Sequence, residues 1–171
     1  MDGTGSVDGE GLIMSGKAWE PATLNLAFRE ATSWLGTPHL DRRAIRGVGI
    51  DCIHLVAEIL KAAMIIPDFR FPYYRRNIGV FKKSNSMRRF FGDALHGREV
   101  RQLADGDLVV FKVGKQSNHC GIVLNGRCCH VLTKRRVEFD DLWFVLPKLE
   151  SAFRIDQSGF KSRPEKFNLN K

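Results

Sequence analysis

Asn125-Gly126 is the feature that most narrows the folds open to this chain of 171 residues. Both central positions of a type I′ turn need positive φ, which Asn and Gly tolerate best, and the flanking runs HCGIVL and CCHVLT read as strands. A two-residue hairpin loop here pairs Leu124 with Arg127, which sets Gly121 opposite His130 and His119 opposite Leu132. Side chains then divide by parity. His119, Gly121, Val123, Cys128, His130 and Leu132 share one face, while Cys120, Ile122, Leu124, Cys129 and Val131 share the other, apolar one. His119 and His130 become diagonal neighbours with Cβ atoms about 7–8 Å apart, a gap two imidazoles close. Gly121 leaves room between them for the close approach of a substrate backbone.

The same reasoning extends outward from the hairpin. Asp105-Gly106 is a turn signal that introduces another strand, DLVVFKV at 107–113. Upstream the periodicity is helical: Leu24, Ala27, Phe28, Ala31, Trp34 and Leu35 predict a helix from near Pro21 to Leu35. A second helix is expected from Cys52 to about Met64, burying Val56, Ile59, Leu60 and Ala63, with Pro67 preventing much extension. Residues 36–50 read as a loop, Met87–Leu95 as a short helix, and Trp143, Phe144 and Val145 as a short strand or packed end segment. Helices followed by an antiparallel sheet make the expected fold class α+β. A single domain over residues 19–156 is expected, between a flexible N-terminal arm, 1–18, and a polar tail, 157–171.

Composition decides which environments suit such a domain. With 43% hydrophobic and 27% charged residues, the chain can bury a core. No apolar run approaches the roughly 20 residues that span a bilayer, and the N-terminus is acidic and glycine-rich, unlike an export signal. Synthesis in the cytoplasm is therefore expected. Cys52, Cys120, Cys128 and Cys129 do not form a dense disulfide framework and are read as thiols. Much of the net charge of +8 comes from Arg75–Arg101, where eight Lys or Arg residues face only Asp93 and Glu99, a local net of +6. Such a segment suits an anionic polymer or an acidic partner, or serves only as a solvated face. Nucleic acid is disfavoured as partner, because no binding module orders the nearby Tyr73, Tyr74, Phe81 and Phe90.

Chemistry enters at Asp51-Cys52. Asp51 is a favourable N-cap, so Cys52 becomes the first helical residue, where unpaired N–H groups and the helix dipole favour a thiolate and can stabilise an oxyanion. A nucleophilic thiol needs a base and a group that orients the base. His119 is the candidate base and His130 the candidate orienter. His54 lies two residues beyond Cys52 on the same helix, where side chains do not face each other, and reads as packing or surface. Zinc is the rival use of these Cys and His residues. The hairpin parity, however, sends Cys120 and Cys129 to the face away from the histidines, and no paired zinc-knuckle spacing is present.

The blocks WLGTPHLDRRAIRGVGIDCIHLVAEIL, GDLVVFK and HCGIVLNGRCCHV, in that order, resemble the NlpC/p60 cell-wall endopeptidases, a papain-like cysteine hydrolase family, and within it the phage-tail and prophage branch. The resemblance covers roughly residues 22–156. It implies a papain-like core with Cys52 as nucleophile, His119 as base and His130 as third polar residue, no cofactor, and peptidoglycan as substrate. The bond implied is the stem-peptide amide between D-glutamate and diaminopimelate, cleaved through a thioester at the bacterial wall, with phage tail proteins as further partners and a virion-associated location. The family pattern Asp-Cys-Ser-Gly is here Asp51-Cys52-Ile53-His54, and a tyrosine lining the site in relatives is here His39. Asp51, His39 and Gly121 are accordingly the expected substrate-contacting positions. The alternative is a tail or wall-binding module that keeps the fold without catalysis.

Overall fold

The computed structural model describes residues 16–67, 86–113 and 116–157. Helix α1 spans Pro21–Ser33 and α2 spans Cys52–Ala62. Each begins where the residue chemistry allows, with Pro in the first turn of α1 and Asp51 capping α2. The segment read as a loop contains a small hairpin, β1 (Ala44–Ile45) antiparallel to β2 (Gly49–Ile50). Its strands are too short for a period of two to show in sequence. Extended backbone before it is tied down as well, with Gly36 N–H donating to Val137 O and His39 N–H to Arg135 O.

After 67, description resumes at α3 (Ser86–Arg89), which widens into a π-helical turn over Phe90–Ala94. Met87, Phe90, Phe91 and Leu95 of the expected helix are buried there. Six antiparallel strands follow: β3 (Arg98–Val100), β4 (Leu108–Val113), β5 (Gln116–Leu124), β6 (Arg127–His130), β7 (Glu138–Asp141) and β8 (Leu149–Arg154), in the spatial order β3-β8-β4-β5-β6-β7. Trp143, Phe144 and Val145 are not a strand. They lie in a short helix, α4 (Leu142–Val145), which continues as a 3-10 turn over Leu146–Lys148. Val145 is buried, whereas Trp143 and Phe144 stack on each other at the surface. Four consecutive large apolar residues look alike on the linear chain, and only their surroundings separate the buried from the exposed.

The alternation predicted for the hairpin carries the packing. Leu108, Val110, Cys120, Ile122, Leu124, Cys129 and Phe153 face α1 and α2 and join their core. Val109, Phe111, Val123, Cys128 and Ala152 face the other way, into a smaller cluster closed by Leu103 and Val145, with Leu142 and Leu146 packed against it. Asp107, fully buried at the start of β4, accepts from Ala104 N and from Nε and Nη2 of Arg154, which locks β4 against the end of β8. The hydrogen bonds to Asp107 also raise the Arg154 pKa. Among the described residues no helix is long and apolar enough to cross a membrane.

Asn125 and Gly126 have φ of 51° and 69°, as the predicted turn requires. The resulting ladder pairs Leu124 with Arg127, Val123 with Cys128, Ile122 with Cys129 and Gly121 with His130. The space beside Gly121 belongs to the protein itself. A Cβ there would stand 2.7 Å from Cys128 Sγ, 2.8 Å from Cys129 O and 3.1 Å from His130 Cβ, so this glycine admits the neighbouring strand rather than a substrate backbone. We therefore expect Gly121→Ala to destabilise the fold by about 1–3 kcal/mol, as overpacking of a dense interior does. Denaturant unfolding measures it, and an unchanged midpoint would contradict the close approach.

Candidate active site

Asp51 builds one wall of the site. Its Oδ1 accepts from the backbone N–H of His54 at 3.0 Å and lies 2.7 Å from His54 Nδ1, while Oδ2 accepts from the backbone N–H of Arg42 at 2.7 Å. The expected cap is present. The carboxylate is thereby engaged in joining the 36–50 segment to α2, and His54 is the residue that reaches back to it. This arrangement presents Cys52, half-buried, at the first position of α2.

The second wall is the end of β5. The last rung of the β5–β6 ladder is Gly121–His130, and His119 lies beyond it, still paired to Phe111 of β4. One residue further the β4–β5 register slips. Such irregularities turn a strand locally and re-aim its side chains. Phe111 stacks on the His119 ring, with centroids 5.7 Å apart, and lies tilted against His130. His119 Nε2 and His130 Nδ1 are 2.8 Å apart and both rings are buried. The shared face and the contact between the histidines are as the sequence register predicted.

Cys52 lies beside His119 and Cys120, close enough for both to act on its thiol. The neighbouring Cys120 thiol is the largest influence on Cys52, lowering its pKa well below the ordinary value; burial opposes it, the proximity and charge of His119 assist, and Asp51 opposes weakly. Cys120 can act as donor because burial raises its own pKa well above the ordinary value. The remaining thiols are poor nucleophiles: burial pushes Cys129 up to about 12 and raises Cys128 strongly. Among the four cysteines, only Cys52 combines partial access with a depressed pKa.

On its far side His130 meets a residue absent from the sequence reading. Nε2 of His130 is 3.0 Å from Oδ2 of Asp140 on β7. Burial first, then the charge of His119, lowers the His130 pKa to about 4, with Asp140 acting in the opposite direction. The run Glu138-Phe139-Asp140-Asp141 does alternate, and pairing of β6 with β7 puts Glu138 opposite His130 and Asp140 opposite Cys128. That period-2 pattern was the available signal, weakened by three acidic residues in four. Cys120 was legible as a core residue but not as a neighbour of Cys52, because nothing in the linear pattern relates the start of α2 to β5.

His39, the remaining expected position, bridges to Ile50 in the backbone, and its Nε2 lies 3.7 Å from Asp41 Oδ1. It therefore sits one residue from Asp51 across the bridge, at the edge of this site. Ligand-type atoms of His130, Glu138 and Asp140 lie within 4.8 Å of one another. They are engaged as an imidazole–carboxylate pair and, for Glu138, an ion pair with Arg135. Of the basic segment, Arg75, Arg76, Lys82 and Lys83 lie outside the described residues; Arg88 is ion-paired with Glu99.

No protein-family model matches the sequence, and no curated protein matches it significantly. Solved structures do match. One is a Staphylococcus aureus protein described as similar to lipoprotein, NLP/P60 family, with a TM-score of 0.55 and 18% identity over 88% of this chain. The match takes up 45% of that protein, so the present chain spans under half its length. Another is the NlpC/p60 domain of the peptidoglycan hydrolase SagA, with a TM-score of 0.52 and 16% identity, covering 76% of this chain and 97% of the domain. Both likenesses rest on shape at low identity. They establish that this chain has the α+β, papain-like fold of NlpC/p60 proteins.

Proposed function

We propose that the protein is a cysteine peptidase that hydrolyses peptidoglycan stem peptides. The observation that carries this reading is a half-buried thiol at a helix N-terminus, its pKa lowered in part by a neighbouring histidine that is itself held by a second histidine. In the reactive state Cys52 is a thiolate and His119 an imidazolium whose Nε2–H donates to His130 Nδ1. The sulfur attacks the amide carbonyl, and first-turn N–H groups of α2 left without intrahelical partners receive the developing oxyanion. His119 then gives its proton to the leaving amine. Water, deprotonated by the neutral His119, cleaves the thioester and restores the pair.

The bond proposed, between D-glutamate and diaminopimelate, and a place in a phage tail both follow from the resemblance of the sequence blocks. The basic 75–101 segment is proposed as the surface that attracts an anionic wall polymer or an acidic tail partner. Ile53 and His54 replace the small residues usual after the cysteine. The substitution is compatible with the site, because Ile53 is buried in the core and His54 turns to Asp51.

Digestion of purified peptidoglycan, with the new termini identified by mass spectrometry, tests the reading. Cys52→Ala should abolish release while leaving the protein folded, and activity comparable to the parent would refute a cysteine mechanism. His119→Ala should remove nearly all turnover. His130→Gln should keep part of it, since an amide oxygen can still accept from His119.

The buried His130 also predicts a pH signature. Its folded-state pKa, about 4, lies below the ordinary 6.5, so the fold favours its neutral form. It should leave stability unchanged above about pH 6.5, and on the order of 3 kcal/mol should be lost as pH falls toward about 4. His130→Gln, which cannot titrate, should therefore show a shallower decline than the parent in thermal unfolding over that window. Equal slopes would contradict the burial of a neutral ring.

A further inference from the structure

The contact between His119 and His130 leaves one question open, which of the two rings holds the proton between them. A neutral imidazole carries one proton on two nitrogens, and its partner at the other nitrogen selects the tautomer. With its proton on Nδ1, His130 would point it at His119 Nε2 across 2.8 Å. That arrangement opposes an imidazolium at His119, whose Nε2 also bears a proton. With the proton on Nε2, His130 donates to the Asp140 carboxylate at 3.0 Å and offers the Nδ1 lone pair to His119.

We propose that Asp140 is the positioning residue of the site. By accepting His130 Nε2–H it commits His130 Nδ1 to receive the proton of His119, and so favours the thiolate–imidazolium pair over the neutral thiol and imidazole. The role rests on the cysteine–histidine reading above. Asp140 itself touches neither Cys52 nor the reacting atoms.

The surroundings of His130 single out this carboxylate. From β5 it faces His119, with Cys52 and Cys120 beyond; from β4 the ring of Phe111 lies tilted against it. On its own strand Cys128 shares its face. From β7 it faces Glu138 and Asp140, and Arg135 lies close enough for its charge to act on the ring. Glu138, directly across the ladder, has one oxygen paired to Arg135 and the other buried without a partner. Asp140 is the carboxylate in hydrogen-bond contact with His130.

Alkylation of Cys52 by iodoacetamide reads the thiolate directly and needs no peptidoglycan, so it separates this proposal from the substrate assignment. The other three cysteines are buried, and peptide mapping by mass spectrometry confirms the site of modification. Asp140→Asn keeps an acceptor of nearly the same shape and removes the charge. We expect it to move the pH profile of Cys52 alkylation up by about one unit, a roughly tenfold slowing on the acid limb, and to converge with the parent near pH 10, where the thiol ionises unaided. An unchanged profile, or an equal loss at every pH, would overturn the proposal, the latter pointing to structure alone. The parent protein gives a second, variant-free reading. Histidine nitrogen NMR at neutral pH should show His130 as the Nε2–H tautomer, and the Nδ1–H tautomer would overturn the proposal even if Asp140→Asn did not fold.

Discussion

The Gly121–His130 rung is the constraint on which the site depends. Because glycine contributes no Cβ, β6 packs against β5 with Cys128 and His130 filling the space above the rung. The ladder stops there, and His119 continues past it with its ring free to meet His130 diagonally while the Phe111 ring holds it from β4. A side chain at 121 would separate the two histidines and the strands that carry them. The geometry of the histidine pair is therefore first of all a property of sheet packing.

Cys52 reaches this pair because two different requirements coincide at one helix end. An α-helix leaves its first N–H groups unpaired, and Asp51 answers part of that need while tying down the Arg42 backbone. The apolar side of α2, with Ile53, Val56, Ile59 and Leu60 buried, presses the helix onto the sheet face that carries Cys120. Docking thus brings a thiol to the end of β5, where one strand offers it Cys120 on the core face and His119 on the other. The two neighbours act together: a protonated thiol and a histidine both favour negative charge on the Cys52 sulfur, enough to outweigh its desolvation.

Polar groups in this region form a connected series, half-buried at both ends and buried at its two histidines. Asp140 holds His130, His130 holds His119, and His119 lies beside Cys52. Such a series matters because an isolated imidazole at 2% exposure, as His130 is, has lost its water and needs partners at both nitrogens. The same desolvation that depresses its pKa keeps it neutral, and a neutral ring is what can accept from one side while donating to the other.

Local chemistry was enough to determine the hairpin, its register, the shared face of His119 and His130, the start of α2 at Cys52 and the α+β class. Each depends on neighbours in sequence: positive φ at Asn125 and Gly126, alternation along a strand, and a capping carboxylate before an apolar stripe. Tertiary structure decided what local chemistry cannot encode. The β1–β2 hairpin is two residues per strand, too short for a period to register, and the 142–148 segment coils because Val145 finds a pocket under the sheet while Trp143 and Phe144 do not. Contact of Cys52 with Cys120 joins residues 68 positions apart, and contact of His130 with Asp140 crosses to a strand whose acidic composition hides its alternation. Both contacts exist only once α2 and β7 have docked on the same sheet, because it is burial of their apolar partners, and not any feature of the polar residues themselves, that brings those side chains within reach.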